Sequence, residues 1–165
     1  IVLFEAYLFP FQEQLRQSLL LQEQVDMLAY AIDSKGDLGA SAYIEWLQNA
    51  TQRHLEESQL VNITSLVEDK QRLPVLNAMT RLLFRRNQMP EIKDLIDANL
   101  HFLKTSRHPK LMLFGMPGFM TPIQTVSWCY DHLNMLEVVD LGEALHFMQL
   151  DRPELLGEEL LRWHR

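Results

Sequence analysis

Apolar residues recur at the spacing of an α-helix along most of this chain, and this spacing constrains the fold more than any other feature. Leu21, Val25, Leu28 and Ile32 form one such stripe, and the segment that follows Pro74 forms a broader one. Positions three and four residues apart share one face of a helix. The alternation of apolar and polar residues that marks a half-buried strand is not convincing anywhere. The spacing predicts an all-α fold, an irregular antiparallel helical bundle of about six to seven helices.

Capping signals place the ends of these helices. Proline is favoured in a first helical turn, and aspartate followed three residues later by glutamate is typical of a capping box. The predicted helices start near Phe9–Phe11, Ser41, Pro74, Pro90, Thr121–Pro122, Asp140–Glu143 and Asp151–Glu154. The second either projects into solvent in its polar middle or breaks there, and a helical face resumes at Leu60. The helices that start at Pro74 and Pro90 are expected to pair as an antiparallel hairpin with Leu76, Met79, Leu83, Leu95, Ile96 and Leu103 buried between them.

One apolar segment, Leu111–Met120, does not read as a helix. Its apolar residues are interrupted by Gly115, Pro117 and Gly118, which a helix does not tolerate in succession. We therefore expect a hydrophobic loop here, with room for a short strand at Leu111–Phe114. Its methionines suit an adaptable binding surface, although a loop packed over the core is the more common outcome.

Length and composition predict one helical domain over residues 1–165. The chain has 165 residues, of which 47% are apolar, and no apolar run reaches the roughly 18 residues that a membrane span needs. It does not begin with methionine, so we expect a trimmed piece or a fragment of a longer chain. The lone Cys129 cannot form an internal disulfide, which favours a reducing compartment and hence a cytoplasmic location.

Charge is distributed unevenly. The net charge is −7, which argues against a general nucleic-acid-binding protein. Residues 81–110 carry a net charge of +4, and the rest of the chain carries −11. The basic segment either contacts an acidic partner or is balanced by acidic helices of the same domain.

The sequence holds no complete catalytic, metal or nucleotide motif. Glu143 and His146, like Cys129 and His132, stand three residues apart and would share a helix face. A di-iron site needs a second Glu-x-x-His pair, and a zinc site needs further cysteines or histidines at suitable spacing. We therefore interpret the first pair as a surface ion pair and Cys129 as a small core residue, and we expect no metal and no cofactor.

Elimination favours a non-catalytic protein–protein interaction module over an enzyme, such as an adaptor, a chaperone or a regulatory subunit of a larger assembly. Its partner is another protein of acidic character, and the oligomeric state is left open. The predicted partner-binding residues are Phe114, Met116, Phe119, Met120, Arg81, Arg85, Lys104, Arg107 and Lys110. The alternative is a helical small-ligand-binding or enzymatic domain, with a pocket lined by Trp46, Trp128, Tyr130 or the methionine segment together with histidine.

Overall fold

A computed structural model describes residues 1–6, 8–9, 16, 18–19, 22–23, 25–27, 30, 38–69, 71–84 and 90–165, with residues 66 and 81–84 described in the backbone only. Within these residues the strands are β1 (Val2–Leu3), β2 (Lys110–Pro117) and β3 (Leu136–Ala144). The helices are α1 (Ala40–Asn49), α2 (Glu57–Val67), α3 (Leu73–Phe84), α4 (Pro90–Thr105), α5 (Ile123–His132), α6 (Met148–Asp151) and α7 (Pro153–His164).

The prediction of an all-α bundle is wrong, because a three-stranded parallel sheet in the order β1-β2-β3 forms the centre of the molecule. Lys110 pairs with Leu136 at one end of β2, and Pro117 pairs with Ala144 at the other. Parallel neighbours need a crossover connection, which α5 supplies between β2 and β3. Helices therefore surround a sheet here, and the chain is an α/β protein.

Strand β2 occupies the segment that we expected to be mainly a loop. Leu111, Met112 and Leu113 have no solvent exposure. A strand buried on both faces is apolar without interruption, so it shows no alternation and cannot be told from a buried loop or helix by its pattern. The expected short strand at Leu111–Phe114 exists, and it extends to Pro117.

Strand β3 replaces the helix that we expected to start at Asp140. The Asp140 carboxylate does cap a backbone N–H, that of Gly142 at 2.7 Å, but this bond closes a turn within the strand end, where Gly142 has a φ of 79°. Val138 and Val139 favour the strand, and pairing with β2 outweighs the local capping signal.

The two faces of β2 contact different sets of helices. Met112 and Phe114 pack on one side with residues of α4 and α5, and Leu111 and Leu113 pack on the other side with α6 and α7. Successive side chains of a strand point to opposite faces, which makes β2 the centre of two cores. A third cluster, built on Leu38, joins α1, α2 and α3.

Most of the predicted helices are confirmed where the structure describes them, namely those at Ser41, Leu60, Pro74, Pro90, Thr121–Pro122 and Asp151–Glu154. The expected helix that starts near Phe9–Phe11 lies largely outside the described residues. None of the helices in the described ranges is both long and apolar enough to cross a membrane.

The predicted core between the helices that start at Pro74 and Pro90 is wrong. Leu76 belongs to the cluster around Leu38, and Leu103 packs against the sheet. Met79 and Leu95 are 51% and 61% exposed, and the side chain of Leu83 is outside the description. The apolar stripes of α3 and α4 therefore pack against different parts of the molecule and not against each other.

Lys110 was expected on an exposed basic surface, but its side chain is fully buried at the start of β2. Its Nζ donates to the carbonyl oxygens of Ser106 (2.8 Å), Asn134 (2.9 Å) and His108 (3.1 Å). Burial lowers the pKa of the Lys110 ammonium. The three carbonyls come from the segments before β2 and before β3, so one cation ties the two strand starts together.

We predict that Lys110→Met lowers the free energy of unfolding by roughly 2–4 kcal/mol, because one buried and two partly buried carbonyl groups lose their donor. Urea unfolding of the two proteins measures the difference. Lys104→Met is the matched control, since Lys104 is exposed, and it should change stability little. Equal urea midpoints for the parent and Lys110→Met would show that the three hydrogen bonds of Lys110 Nζ contribute nothing to stability.

We also predict that Gly115→Ala destabilises the sheet. A Cβ atom there would lie 2.5 Å from the Cβ of Ala144 and 3.0 Å from its carbonyl oxygen, so β2 and β3 would have to separate. The expected cost is about 1–3 kcal/mol, read from thermal and urea unfolding.

Gly157→Ala in α7 is the control for this substitution. A Cβ atom at Gly157 meets nothing within 4 Å, so alanine there should stabilise the helix by about 0.5–1 kcal/mol. A Gly115→Ala protein as stable as the parent would contradict the close approach of β2 to β3.

Candidate active site

The carboxyl ends of the three strands meet at one edge of the sheet. Glu5 lies two residues after β1, residues 118–121 follow β2, and His146 lies two residues after β3. Open parallel sheets bind ligands at this edge, where the loops leave the sheet. It is therefore the place in this fold where reactive side chains are expected.

Glu5 carries a buried carboxylate with several donors. Its Oε1 accepts hydrogen bonds from the Thr121 hydroxyl (2.8 Å) and from the backbone N–H groups of Phe119 (3.0 Å) and Thr121 (3.2 Å). Its Oε2 accepts from the Met120 N–H and faces Nδ1 of His146 at 3.3 Å. Burial raises the pKa of the Glu5 carboxyl, but the hydrogen bonds, that of His146 first, outweigh burial and hold this pKa below its ordinary value. The side chain is therefore an ionised carboxylate at neutral pH.

The backbone of Glu5 is itself unusual. Its φ of 42° lies in the left-handed region, which costs free energy for a residue with a side chain. The hydrogen bonds to the carboxylate offset that cost. This conformation directs the carboxylate away from the strand and toward the ends of β2 and β3.

His146 sits between the carboxylate and solvent. Its Nδ1 faces Glu5, and its ring lies against the rings of Phe147, Phe119 and Trp46, with centroid distances of 4.8, 5.5 and 5.7 Å. The side chain keeps 26% exposure. A hydrogen bond to a carboxylate assigns the imidazole proton to Nδ1 and leaves a lone pair on Nε2. Such an imidazole can accept a proton from water or a hydroxyl group.

An apolar cavity of about 340 Å³ opens beside this histidine. It is lined by Tyr43, Trp46, Leu47, Ile63, Val67, Leu76, Phe147, Gln149 and Leu150. Two of these residues, Trp46 and Phe147, also contact the His146 ring. The Nε1–H of Trp46 is buried and has no hydrogen-bond partner among the described residues.

The apolar residues predicted to bind a partner lie in different environments. Phe114 is buried in β2, Phe119 and Met120 are buried just after that strand, and Met116 is 41% exposed. Phe119 and Met120 do belong to the site, but through their backbone N–H groups, which donate to Glu5.

The predicted basic residues do not surround this segment as a group. Lys110 is buried, Arg107 is exposed, and Lys104 is exposed with its Nζ 5.6 Å from the Trp128 ring. Arg85 and the side chain of Arg81 lie outside the description. Partner binding by the nine predicted residues, and the acidic character of that partner, stay predictions without support from the geometry.

The structure treats the two histidine pairs of the sequence differently. Glu143 lies in β3 and His146 beyond it, so they do not share a helix, and His146 pairs with Glu5 instead. Cys129 and His132 do share α5, but Cys129 is buried, and burial raises the pKa of its thiol to about 12, which makes it a poor nucleophile. The described residues contain no group of three His, Cys, Asp or Glu side chains placed to bind a metal ion.

Sequence reasoning missed Glu5 and the role of Thr121. Thr121 was expected to cap α5, but Pro122 is the N-cap and the Thr121 hydroxyl donates to Glu5. The available signal was a lone carboxylate directly after the apolar run Ile1–Phe4, together with a histidine after Leu136–Ala144. Reading both apolar runs as strands would have placed the two side chains at one sheet edge.

One curated relative is a haloalkane dehalogenase from Agrobacterium fabrum. It is 31% identical over 68 residues, which are 41% of this chain and 22% of the relative. The chain thus spans about a fifth of that protein's length. No known protein-family profile matches the chain.

Solved structures of haloalkane dehalogenases superpose on the molecule. DatA from Agrobacterium tumefaciens has a TM-score of 0.69 at 18% identity, and the match covers 98% of this chain and 56% of that one. DbeA from Bradyrhizobium elkani has a TM-score of 0.69 at 22% identity, with 74% and 43% covered. At this level of identity the likeness establishes the fold, and the chain spans about half the length of these enzymes.

These comparisons correct the functional prediction. The non-catalytic adaptor, chaperone or regulatory subunit is wrong, since the relative and the structural neighbours are enzymes, and the alternative of an enzymatic domain agrees better with them. Of the predicted pocket residues, Trp46 lines the cavity beside His146, and Tyr130 lines a different cavity together with His132. Trp128 packs on another core. The parallel sheet, together with the similar solved structures, shows that the chain has an α/β-hydrolase fold.

Proposed function

We propose that this chain is part of a hydrolase of the haloalkane dehalogenase type, which removes a halogen from a small apolar substrate. The observation that carries the proposal is the hydrogen-bonded pair of Glu5 and His146 at the carboxyl edge of the parallel sheet. Its reaction class is taken from the dehalogenase relative and from the neighbours of the same fold. A carboxylate–imidazole pair of this geometry is the acid–base unit of many hydrolases.

In this reaction His146 is the general base. Overall, the substrate takes up one water and releases an alcohol, a halide ion and a proton; Nε2 of His146 accepts a proton from that water, and the proton then passes to the solvent. The Glu5 carboxylate stabilises the imidazolium ion that results, because the two opposite charges are hydrogen-bonded and the carboxylate is buried. Glu5 acts through His146 and is a positioning residue.

The apolar cavity beside His146 is the proposed substrate pocket. Its walls are aliphatic and aromatic, so they suit an alkyl chain better than a charged substrate. The Trp46 ring forms part of the cavity wall and also contacts His146, so the pocket lies close to the proposed base.

We also propose that these 165 residues are a fragment of a longer single-domain chain, and that the nucleophile of the reaction comes from outside them. The support is the coverage of 43% and 56% of the two solved dehalogenases.

A cytoplasmic location remains a proposal as well. Its support is the single cysteine, Cys129, which is free and buried.

We predict that the full native chain releases halide from short bromoalkanes and chloroalkanes, and that His146→Gln and Glu5→Gln lower kcat by at least about 100-fold. His146→Gln removes the base, and Glu5→Gln removes the charge that stabilises the imidazolium ion. Ion chromatography of released halide measures the rate. Because the pKa of the Glu5 carboxyl is held below its ordinary value, Glu5 stays ionised at neutral pH, where the rate is measured.

Glu143→Gln is the matched control, since Glu143 is an exposed carboxylate three residues before His146, and it should keep the parent rate. Circular dichroism of all variants checks that each is folded. Halide release that survives both Glu5→Gln and His146→Gln would contradict the proposed roles. A parent protein that hydrolyses esters but releases no halide would contradict the reaction class.

A further inference from the structure

The segment Gly118–Thr121, here called the carboxylate loop, contacts both members of the Glu5–His146 pair. We propose that the carboxylate loop aims Glu5 at His146, and that Thr121 is its positioning residue. The proposal rests on the function proposed above and extends it to a residue that contacts neither the substrate pocket nor the proposed base.

The two oxygens of the Glu5 carboxylate have different partners. Oε1 accepts three hydrogen bonds, all from the carboxylate loop, and two of the three come from Thr121. Oε2 accepts one loop N–H and faces His146. Because the loop occupies Oε1, the carboxyl group cannot rotate without losing several bonds, and Oε2 stays directed at the imidazole.

Among the hydrogen-bond donors to Glu5 in the carboxylate loop, the Thr121 hydroxyl is the one that a substitution can remove. Its hydroxyl bond to Oε1, at 2.8 Å, is a side-chain contact, whereas the other loop donors are backbone N–H groups. The side chain is 1% exposed, and threonine has a restricted χ1 angle, so the hydroxyl is held in place. Valine has nearly the same shape and removes only the donor.

The shape of the loop depends on two further contacts. Gly118 has a φ of 71°, and a Cβ atom there would lie 2.8 Å from the Thr121 carbonyl oxygen, so the loop closes tightly on itself. The Ser18 hydroxyl donates to the Phe119 carbonyl oxygen. The Phe119 ring in turn lies 5.5 Å from the ring of His146, so one loop holds the carboxylate and borders the imidazole.

In the part of the chain that the structure describes, few charges surround Glu5. The carboxylate loop contains no titratable side chain, and β1 contributes none either. Among the described residues, the titratable group that faces Glu5 is His146, which follows β3. A change in the titration of Glu5 on substitution of Thr121 therefore reports the lost hydroxyl donor and not a neighbouring charge.

The test compares Thr121→Val and Thr121→Ser with the parent in the full native chain. The titration of the Glu5 carboxyl is followed by carbon NMR with labelled glutamate, and Glu5→Gln identifies its signal. In Thr121→Val the midpoint should rise by about one pH unit, because the ionised form loses a donor. With a bromoalkane substrate, kcat should fall roughly tenfold while KM changes little, since the base is misdirected and the pocket is intact. Thr121→Ser keeps a hydroxyl and should restore both.

Thr80→Val is the control for loss of a buried threonine hydroxyl, since Thr80 bonds to Tyr43 far along the chain from Glu5. It should leave the Glu5 midpoint unchanged. If Thr121→Val does not fold, Thr121→Ala serves in its place with the same expected shift.

An unchanged Glu5 midpoint in the folded Thr121 variant overturns the inference, as does a Thr121→Ser protein that behaves like Thr121→Val. Absence of halide release in the parent overturns the proposed function alone. The NMR midpoints need no substrate, so they still decide whether Thr121 positions Glu5.

Discussion

A buried carboxylate organises the carboxyl edge of this molecule. A charge removed from water is costly unless hydrogen bonds and an opposite charge compensate it, and Glu5 obtains its compensation from residues more than 110 positions away. The ends of β1, β2 and β3 must all be in place before Glu5 has all of its hydrogen-bond partners. The same bonds that stabilise the fold at this edge leave one carboxylate oxygen directed at His146, so stability and the proposed chemistry depend on one arrangement.

The opposite end of β2 holds a buried charge of the other sign. Lys110 is satisfied by three backbone carbonyls, whereas Glu5 is satisfied mainly by backbone N–H groups. Each charge joins segments that belong to different strands. Between them, the close contact of Gly115 with Ala144 keeps β2 and β3 near enough for their ends to share these partners. The sheet therefore acts as a rigid frame that is fixed at both ends by buried ions.

Helical segments were predictable because their signals are local. The stripes and prolines of α3 and α4 place both helices within a residue or two, but they do not say what each helix packs against. The parallel strands were not predictable in the same way, since β2 is apolar throughout and Asp140 in β3 imitates a helix cap. The site was missed for a related reason: Glu5 and His146 are 141 residues apart, and only the order of the strands brings them together.

The central claim is that Glu5 fixes the His146 imidazole with its proton on Nδ1 and its lone pair on Nε2. Nitrogen NMR of the full native chain, labelled at histidine, measures this directly at a pH where the ring is neutral. We expect a protonated Nδ1 and an unprotonated Nε2 for His146, with that preference lost in Glu5→Gln. A proton on Nε2 in the parent, or a tautomer that does not change in Glu5→Gln, would contradict it.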